Sequence, residues 1–354
     1  MQGRQAAERA LGDFLGRKGA GDPALPVPRL DAVAARRLVA RIDAIPLFAH
    51  AYALHLNLCH GGSGPADLLA FAVAHDLVGL KIHVEDGEDR SLAAIDPPAR
   101  RRFGALARER GIRLHVETSS TTIADLRLAT AIAGDVGAES IRSYPRHAGP
   151  LSSVIARTIR DLAAIDALDP RRAFRYTVEQ HEDLTAAELV GILRAVGNPR
   201  LSLLYDFGNM INAGETPEGA LATMAPLVTE VHVKDVRRVP DRGGWGHLAC
   251  RTGTGEVNIA RLLFHLLLLG DAAPQVTAFA LEEEEGYVSP AFRFPDEAAD
   301  PVIPPRGASV TPLDPAEPLA DRLAREREAA ADQVRFVRVL LAEMRRHLLP
   351  LCVA

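Results

Sequence analysis

The chain has 354 residues, 47% of them hydrophobic, so it can bury a large core as one α/β barrel or as two smaller domains. A net charge of −5 and an isoelectric point near 6.2 give no long-range attraction for a polyanion, so nucleic acid is not an expected partner. Three cysteines without CxxC spacing and an N-terminus without a signal-peptide core indicate a reducing, cytoplasmic location. The longest apolar run is too short to cross a membrane, so no membrane association is expected.

The N-terminal residues 1–45 are predicted to form a helical extension. A Pro-rich stretch, Pro23–Pro28, is followed by apolar residues at helical spacing. These residues are Leu30, Val33, Leu38, Val39 and Ile42.

From about residue 46 the chain alternates short β-rich runs with helical stretches, a rhythm typical of βα repetition. The candidate strands are Leu47–Leu58, Val78–Val84, Ile112–Val116, Ser140–Tyr144, Phe174–Glu179, Leu201–Asp206, Glu230–Val233 and Val276–Glu282. Helices are predicted between them at Pro98–Arg110, Val154–Leu168, Thr185–Val196, Pro217–Met224 and Ile259–Leu269. Eight strands favour a (β/α)8 TIM barrel over residues 46–285, although a doubly wound open sheet would show the same alternation.

The C-terminal part, residues 286–354, extends the minimal barrel. Residues 286 to about 317 hold many prolines, and we interpret them either as a long loop across the barrel mouth or as a surface linker. Leu319–Leu349 is a long amphipathic stretch, predicted to be the last barrel helix. The whole chain then forms a single domain.

Four predicted strands end in residues suited to bind a metal. The active site of a βα barrel lies at the C-terminal ends of its strands, so polar residues at these positions are candidate functional groups. They are Glu179, Asp206, His232 and Glu282. Three carboxylates and an imidazole favour Mn, Mg, Co or Zn over soft copper. Within Glu282–Glu285 the choice of ligand stays open, and Glu282 is preferred because it directly ends the apolar run.

This arrangement resembles the sugar phosphate isomerase/epimerase family of xylose-isomerase-like TIM barrels. The resemblance covers about residues 47–285. It rests on the order Glu, Asp, His, Glu along the chain and on the motifs Tyr205-Asp-Phe-Gly-Asn209, Val231-His-Val-Lys-Asp235 and Gly253-Thr-Gly-Glu-Val-Asn258.

The resemblance implies that the four strand-end residues bind one divalent metal ion, with Glu179 and Glu282 as the catalytic acid/base pair. It also implies an isomerase or epimerase of a sugar, sugar acid or polyol. Such an enzyme abstracts a proton next to a carbonyl and passes through a metal-stabilised enediolate.

Three alternatives remain beside that reading. A metal-dependent lyase, a dehydratase or decarboxylase of a keto sugar or oxo sugar acid, could use the same site. An endonuclease IV-like phosphodiesterase is disfavoured because Asn209 stands where that enzyme has a histidine ligand. A catalytically inactive binding subunit is the third alternative. The exposed helices of a barrel also make a homo-oligomer plausible.

Further polar residues are predicted to contact a small carbohydrate substrate. Alternating positions on the second, third and fourth strands point inward, and a Gly-rich segment after the seventh strand is interpreted as a substrate loop. The substrate-binding candidates are Lys81, His83, His115, Glu117, Arg142, Trp245, His247 and Arg251.

Overall fold

Eight parallel strands close into a barrel in the computed structural model, which describes residues 2–18, 22–306 and 311–353. In chain order the barrel strands are β1 (Leu47–His50), β2 (Gly79–His83), β3 (Arg113–Glu117), β4 (Ser140–Ser143), β5 (Arg175–Glu179), β6 (Leu201–Asp206), β7 (Val228–Val233) and β8 (Ala278–Leu281). Each strand pairs with the next, and β1 closes the ring by pairing with both β2 and β8. The predicted (β/α)8 barrel is confirmed, and the open sheet is excluded.

Helices surround the barrel. They are α1 (Gln2–Leu15), α2 (Ala32–Asp43), α3 (His55–His60), α4 (Pro65–Ala74), α5 (Pro97–Glu109), α6 (Ile123–Val136), α7 (Leu151–Ala163), α8 (Ile165–Leu168), α9 (Ala186–Val196), α10 (Pro217–Met224), α11 (Ile259–Leu268) and α12 (Leu319–Leu348). The predicted helix Val154–Leu168 is divided at Ala164 into α7 and α8. Within the described segments, no helix combines the length and apolar character needed to cross a membrane.

The first barrel strand is shorter than the predicted strand Leu47–Leu58. It ends at His50, where the chain enters a 3-10 turn, Ala51–Leu54, and then α3. The Nδ1 atom of His50 accepts a hydrogen bond from the Tyr52 N–H at 3.0 Å and caps this turn. The apolar residues of this segment pack against α12, so hydrophobicity alone did not distinguish helix from strand.

The interior of the barrel is lined mainly by polar side chains, whereas such barrels are commonly filled with branched apolar residues. Phe48, Ala278 and Ala280 form a small apolar cluster inside. Gly79 is required beside it, because a Cβ atom there would lie 2.1 Å from the Phe48 ring. The main hydrophobic core lies between the strands and the surrounding helices.

An antiparallel hairpin follows β7 where the sequence predicted a Gly-rich loop. Its strands are Asp235–Asp241 and Gly244–Cys250, and the short strand Val288–Ser289 pairs with the second of them. The two turn residues, Arg242 and Gly243, both have positive φ, 49° and 88°. Two such residues match the twist of the flanking strands, so a tight hairpin forms here.

The Pro-rich segment crosses the C-terminal end of the barrel. The Phe292 N–H donates to the Asn212 carbonyl after β6 at 2.9 Å. Further along, Val302–Ile303 pairs with Gly149–Pro150 after β4. The segment therefore spans several barrel loops, so the interpretation as a loop across the mouth fits and the surface linker is wrong. Residues 307–310, at the end of this prediction, lie outside the described residues.

The helix α12 matches the predicted Leu319–Leu349 and completes the last βα unit. It packs against α1, α2 and α11. The Glu326 carboxylate accepts hydrogen bonds from the backbone N–H groups of Leu56 at 2.7 Å and Asn57 at 2.9 Å. This contact ties α12 to the start of α3, beside the barrel mouth.

Candidate metal centre and substrate pocket

The four predicted metal ligands lie together at the C-terminal end of the barrel, on four consecutive strands. Glu179 and Asp206 are the last residues of β5 and β6. His232 lies in β7, and Glu282 directly follows β8. The His232 Nδ1 atom is 3.3 Å from Glu179 Oε1 and 3.2 Å from Glu282 Oε2. It is 3.9 Å from Asp206 Oδ2, so the imidazole is the centre of the group.

Each member of this group keeps one buried side-chain atom that has no hydrogen-bond partner among the described residues. These atoms are Glu179 Oε2, Asp206 Oδ2, His232 Nδ1 and Glu282 Oε2. Buried polar atoms are normally satisfied, so four orphaned atoms in one cluster indicate a place for a ligand. Oxygen and nitrogen donors of this kind fit Mn, Mg, Co or Zn. The residues present therefore fit a divalent metal ion.

Two cations lie close to the carboxylates. Lys234 Nζ is 3.1 Å from Asp206 Oδ2 and 3.6 Å from Glu282 Oε2. Arg142 Nε is 2.9 Å from Glu179 Oε2, close enough for an ion pair although its direction does not satisfy a hydrogen bond. These cations partly offset the negative charge of the cluster.

Burial and repulsion by other carboxylates disfavour the charged form of Asp206. Burial, with the nearby carboxylates of Glu282 and Glu179, raises the Asp206 pKa to about 7 against the opposing effect of Lys234. Burial also opposes a charge on His232, but Glu282 and Glu179 raise its pKa well above the usual value. A bound cation would relieve the repulsion among the three carboxylates.

A buried glutamate, Glu117 at the end of β3, orients the imidazole of His232. The His232 Nε2 atom is 3.2 Å from Glu117 Oε1, and Arg142 Nη2 donates to Glu117 Oε2 at 2.8 Å. His50 Nε2 is 2.9 Å from the same carboxylate. When the ring is neutral, a proton on His232 Nε2 leaves the lone pair of Nδ1 facing the cluster, as metal-ligating histidines require. Glu117, predicted as a substrate contact, thus lies behind the candidate metal ligands.

The geometry distinguishes the four glutamates at residues 282–285. Glu282 is the one beside His232. Glu283 Oε2 accepts hydrogen bonds from the backbone N–H of Thr252 at 3.1 Å and from its hydroxyl at 2.5 Å. Glu284 lines the pocket, and Glu285 is 3.1 Å from Arg325. The preference for Glu282 agrees with this arrangement.

Asn209 acts as a hydrogen-bond donor within the cluster. Its side-chain amide donates to Glu179 Oε1 at 3.2 Å, and its backbone N–H donates to Asp206 Oδ1 at 2.8 Å. An amide nitrogen carries hydrogens and cannot be a metal ligand in that orientation. The arrangement gives no support for the extra ligand of an endonuclease IV-like site.

A small polar cavity of about 140 Å³ lies above the candidate metal ligands. The rings of Tyr144 and His181 stack at 3.9 Å on one side of it. Tyr52, Lys234 and Glu284 also face it. Burial holds the pKa of His181 well below its usual value, so this imidazole is neutral at pH 7. The cavity therefore offers stacking surfaces, hydroxyl groups and charges to a small polar molecule.

Two predicted substrate contacts, Lys81 and His115, lie deeper in the barrel. Lys81 Nζ is 2.7 Å from Glu230 Oε2, and His115 Nδ1 is 3.2 Å from the same oxygen. Both side chains are buried and do not line the cavity above the metal ligands. Their inward direction was predicted correctly, but their depth along the strands was not.

His83 and Arg142 do not line the cavity, but each contacts a residue that does. His83 Nε2 is 2.9 Å from the hydroxyl of Ser119, which lines the cavity. The Arg142 guanidinium lies 5.2 Å from the centre of the Tyr144 ring. Both side chains are buried, so they support the wall from behind.

The hairpin and the residue after it carry the last three predicted contacts, and none of the three lines the cavity. Trp245 is 43% exposed and is covered by Arg238 at 5.3 Å. Arg251 forms an ion pair with Asp332 of α12. Trp245 and His247 are two residues apart in the strand and so share one face of the hairpin, but Trp245 lies exposed near the turn whereas His247 is buried. The His247 ring lies 5.8 Å from that of Tyr287, which lines the cavity.

Several residues of the cavity were not among the predicted contacts. Tyr52 follows β1 and Tyr144 follows β4. In the sequence, aromatic residues at such positions look like ordinary core residues. Arg306, from the Pro-rich segment, does not line the cavity itself but contacts its wall, because its guanidinium lies 3.0 Å from Glu182 Oε2 and 3.2 Å from Asp183 Oδ1. Because Arg306 is more than 120 residues away in sequence from these partners, no local pattern could have revealed this contact.

The eight-stranded barrel, with its cluster of carboxylates around one imidazole, defines an enzyme fold whose site lies at the strand ends. The chain belongs to the xylose isomerase-like TIM barrel family, whose sequence profile matches residues 69–273. It is 45% identical over 312 residues to the uncharacterized protein YihM of Escherichia coli strain K12. That match covers 88% of this chain and 96% of YihM.

Solved structures share the fold at low sequence identity. A D-psicose 3-epimerase, solved in the presence of D-fructose, aligns with a TM-score of 0.58 and 12% identity, over 84% of this chain and 99% of that enzyme. The probable 3-DHS dehydratase AsbF of Bacillus anthracis aligns with a TM-score of 0.52 and 14% identity, over 67% of this chain and 92% of AsbF. At these identities the similarity shows a common fold.

Proposed function

We propose that this protein is a divalent-metal-dependent isomerase or epimerase of a keto sugar, sugar acid or polyol. The observation that carries the proposal is the cluster of Glu179, Asp206, His232 and Glu282, in which each residue keeps one orphaned buried atom. This cluster lies directly below a small polar cavity, to which Glu282 contributes. The protein thus has a place for an ion and a place for a substrate next to it.

A divalent ion held by these four residues, Mn, Mg, Co or Zn, would supply positive charge that stabilises an oxyanion beside the reacting carbon. The protein contributes the fixed geometry of the ligands. Glu117 holds the His232 ring in place, and Asn209 holds Glu179. Ligands fixed in this way need no rearrangement when the ion binds.

Glu179 and Glu282 are suited to exchange protons with the carbon next to a carbonyl group. They lie on the two outer strands of the four-strand arc, one on each side of His232. Two carboxylates on opposite sides of a substrate carbon allow one to remove a proton and the other to return it. Both lie in a buried, water-poor site where such transfer is efficient.

The cavity is suited to a compact, polyhydroxylated substrate. Tyr144 and His181 present a stacked pair of rings, and Lys234 presents an ammonium group. The Arg306 contact with Glu182 holds the Pro-rich segment over this end of the barrel. The segment limits access of bulk water and the size of a substrate.

A metal-dependent lyase is the second candidate, and the position of Lys234 favours it. Its ammonium group faces the cavity next to Asp206 and Glu282. Burial opposes this charge, but the two carboxylates raise the Lys234 pKa well above its usual value. A lysine that stays charged in this position could stabilise the negative charge that develops on a departing hydroxyl group in a dehydration.

Solvent isotope exchange distinguishes the two reactions. The metal-loaded protein is incubated in D2O with a panel of keto sugars and their acids, and products are followed by NMR. An isomerase or epimerase introduces deuterium at the carbon next to the carbonyl. Turnover without such exchange would contradict it, and an unsaturated ketone or released carbon dioxide would establish the lyase.

A further inference from the structure

A second cleft opens at the opposite, N-terminal end of the barrel. It has a volume of about 520 Å³ and lies among the starts of β3, β4 and β5 and the loop of residues 169–174. Its charged lining residues are Arg113, Arg172, Arg175, Arg200, Glu139 and Glu230. Four arginines against two glutamates give the lining an excess of positive charge.

The two glutamates of this cleft already have cationic partners. Arg113 Nη2 is 2.7 Å from Glu139 Oε2, and Lys81 Nζ is 2.7 Å from Glu230 Oε2. These carboxylates are therefore not available to neutralise the remaining arginines. Arg200 is likewise paired, at 2.5 Å from Asp166.

Arg172 and Arg175 supply the unpaired charge. In the described ranges, neither guanidinium has a carboxylate within ion-pair distance. Asp169 holds their loop by accepting hydrogen bonds from the backbone N–H groups of Ala173 and Phe174, both at 3.1 Å. Arg172 has a φ of 53°, a conformation that non-glycine residues rarely adopt. The loop thus keeps a strained residue whose side chain lines the cleft.

We propose that this cleft binds a small molecule that carries a phosphate monoester. A phosphate monoester has a charge near −2 at neutral pH, and guanidinium groups bind phosphate oxygens in pairs. The cleft is too large for inorganic phosphate alone, so it leaves room for an organic part. At its floor the hydroxyl of Ser140, which donates to Glu230, keeps lone pairs for a hydroxyl group of the ligand.

This site is separate from the metal centre and does not depend on the proposed reaction. The metal ligands are at the C-terminal ends of the strands, and the cleft is at their N-terminal ends. Catalytic sites in such barrels lie at the C-terminal end, so the ligand of this cleft is an effector or a tethering group rather than the substrate.

Calorimetric titration of the full-length protein with glycerol 3-phosphate and with inorganic phosphate tests the proposal. The wild type should bind glycerol 3-phosphate more tightly than inorganic phosphate. The double variant Arg172→Ala, Arg175→Ala should bind it at least about tenfold more weakly, because two charge-assisted hydrogen-bonding groups are lost. Arg171→Ala is the matched control, because Arg171 is exposed in the same loop but does not line the cleft.

The variant His232→Ala separates this site from the metal centre. It should bind glycerol 3-phosphate like the wild type, because His232 does not line the cleft. Wild-type protein that binds neither probe, or a double variant that binds as tightly as the wild type, would overturn the proposal. Equal affinity for the two probes would overturn the recognition of an organic phosphate. Circular dichroism checks that the variants are folded.

Discussion

Two clusters of buried charged side chains lie along the inside of the same barrel. They differ in whether every buried polar atom has a hydrogen-bond partner within the protein. In the lower cluster Glu230 is the centre. It accepts a hydrogen bond from Ser140 at 2.5 Å and lies 2.7 Å from Lys81 and 3.2 Å from His115. None of these four side chains has a buried atom without a partner among the described residues.

In the upper cluster, Glu179, Asp206, His232 and Glu282 each have such an atom. The residue types are similar and all are buried, so composition does not explain the difference. Leaving a buried polar group without a hydrogen bond is costly, so such groups often mark a place where a ligand binds. The comparison teaches that the lower cluster is satisfied by its own residues, whereas the upper cluster keeps the open positions that our proposal assigns to a divalent ion.

The largest expected effect is on catalysis. Glu282→Gln should lower kcat about 10²-fold to 10⁴-fold at saturating metal, because a general acid or base is lost. The rate of deuterium exchange into substrate measures it. Glu283→Gln is the matched control, because Glu283 binds Thr252 instead of the cluster. Equal rates for Glu282→Gln and the wild type would remove Glu282 from the acid/base pair.

The second-largest effect is expected on stability, when the lower cluster is disrupted. Glu230→Ala leaves Lys81 buried without its closest partner, so the free energy of unfolding should fall by about 3–5 kcal/mol. Urea denaturation of metal-free protein measures it. Combining Lys81→Met with Glu230→Leu should recover much of the loss, because no charge is then left uncompensated. Asp206→Asn, in the upper cluster, should cost far less in the same experiment, because burial and the neighbouring carboxylates already raise the Asp206 pKa to about 7 and disfavour its charge. Lys234 also keeps Glu282 as a partner at 3.6 Å. A loss as large as that of Glu230→Ala would show that the two clusters do not differ.

Removal of metal should have a smaller effect. An ion present at about 100 times its Kd stabilises the folded protein by about 2.7 kcal/mol. Chelation should therefore lower the Tm of the wild type, and calorimetric scans with and without chelator measure the shift. His232→Ala should show no shift. A wild-type Tm that is indifferent to both chelator and added metal would contradict a ligand-dependent upper cluster.

The smallest effect is expected on the outside of the hairpin. Trp245→Ala should lower the free energy of unfolding by only about 1 kcal/mol, because the side chain is 43% exposed, contacts Arg238 and does not line the cavity. Urea denaturation checks the stability, and the exchange assay should give the wild-type rate. A strong loss of activity would return Trp245 to the substrate site.

The barrel and its four candidate ligands were predictable because both depend on local patterns. Each strand is a short apolar run, and each ligand stands at or next to a strand end, as Asp206 does in β6. The hairpin after β7 was missed because Gly243 and its neighbours read as a flexible loop. Its third strand, Val288–Ser289, lies about 40 residues further along the chain, so that pairing is not visible in a local pattern.

The substrate contacts were less predictable. The alternation of side chains along a strand indicates which of them point into the barrel, but not how deep in the barrel they lie. Lys81 and Arg142 both point inward, yet Lys81 pairs with Glu230 below and Arg142 with Glu117 and Glu179. Arg306 was missed because only the tertiary path of the Pro-rich segment brings it to the mouth.

Elemental analysis of purified wild type beside His232→Ala and His115→Ala tests the central claim most directly. The account predicts about one divalent ion per chain in the wild type and in His115→Ala, whose imidazole belongs to the self-satisfied lower cluster. It predicts loss of the ion in His232→Ala. A wild type that holds no ion after addition of Mn, Mg, Co or Zn, or a His232→Ala variant that keeps it, would contradict the account.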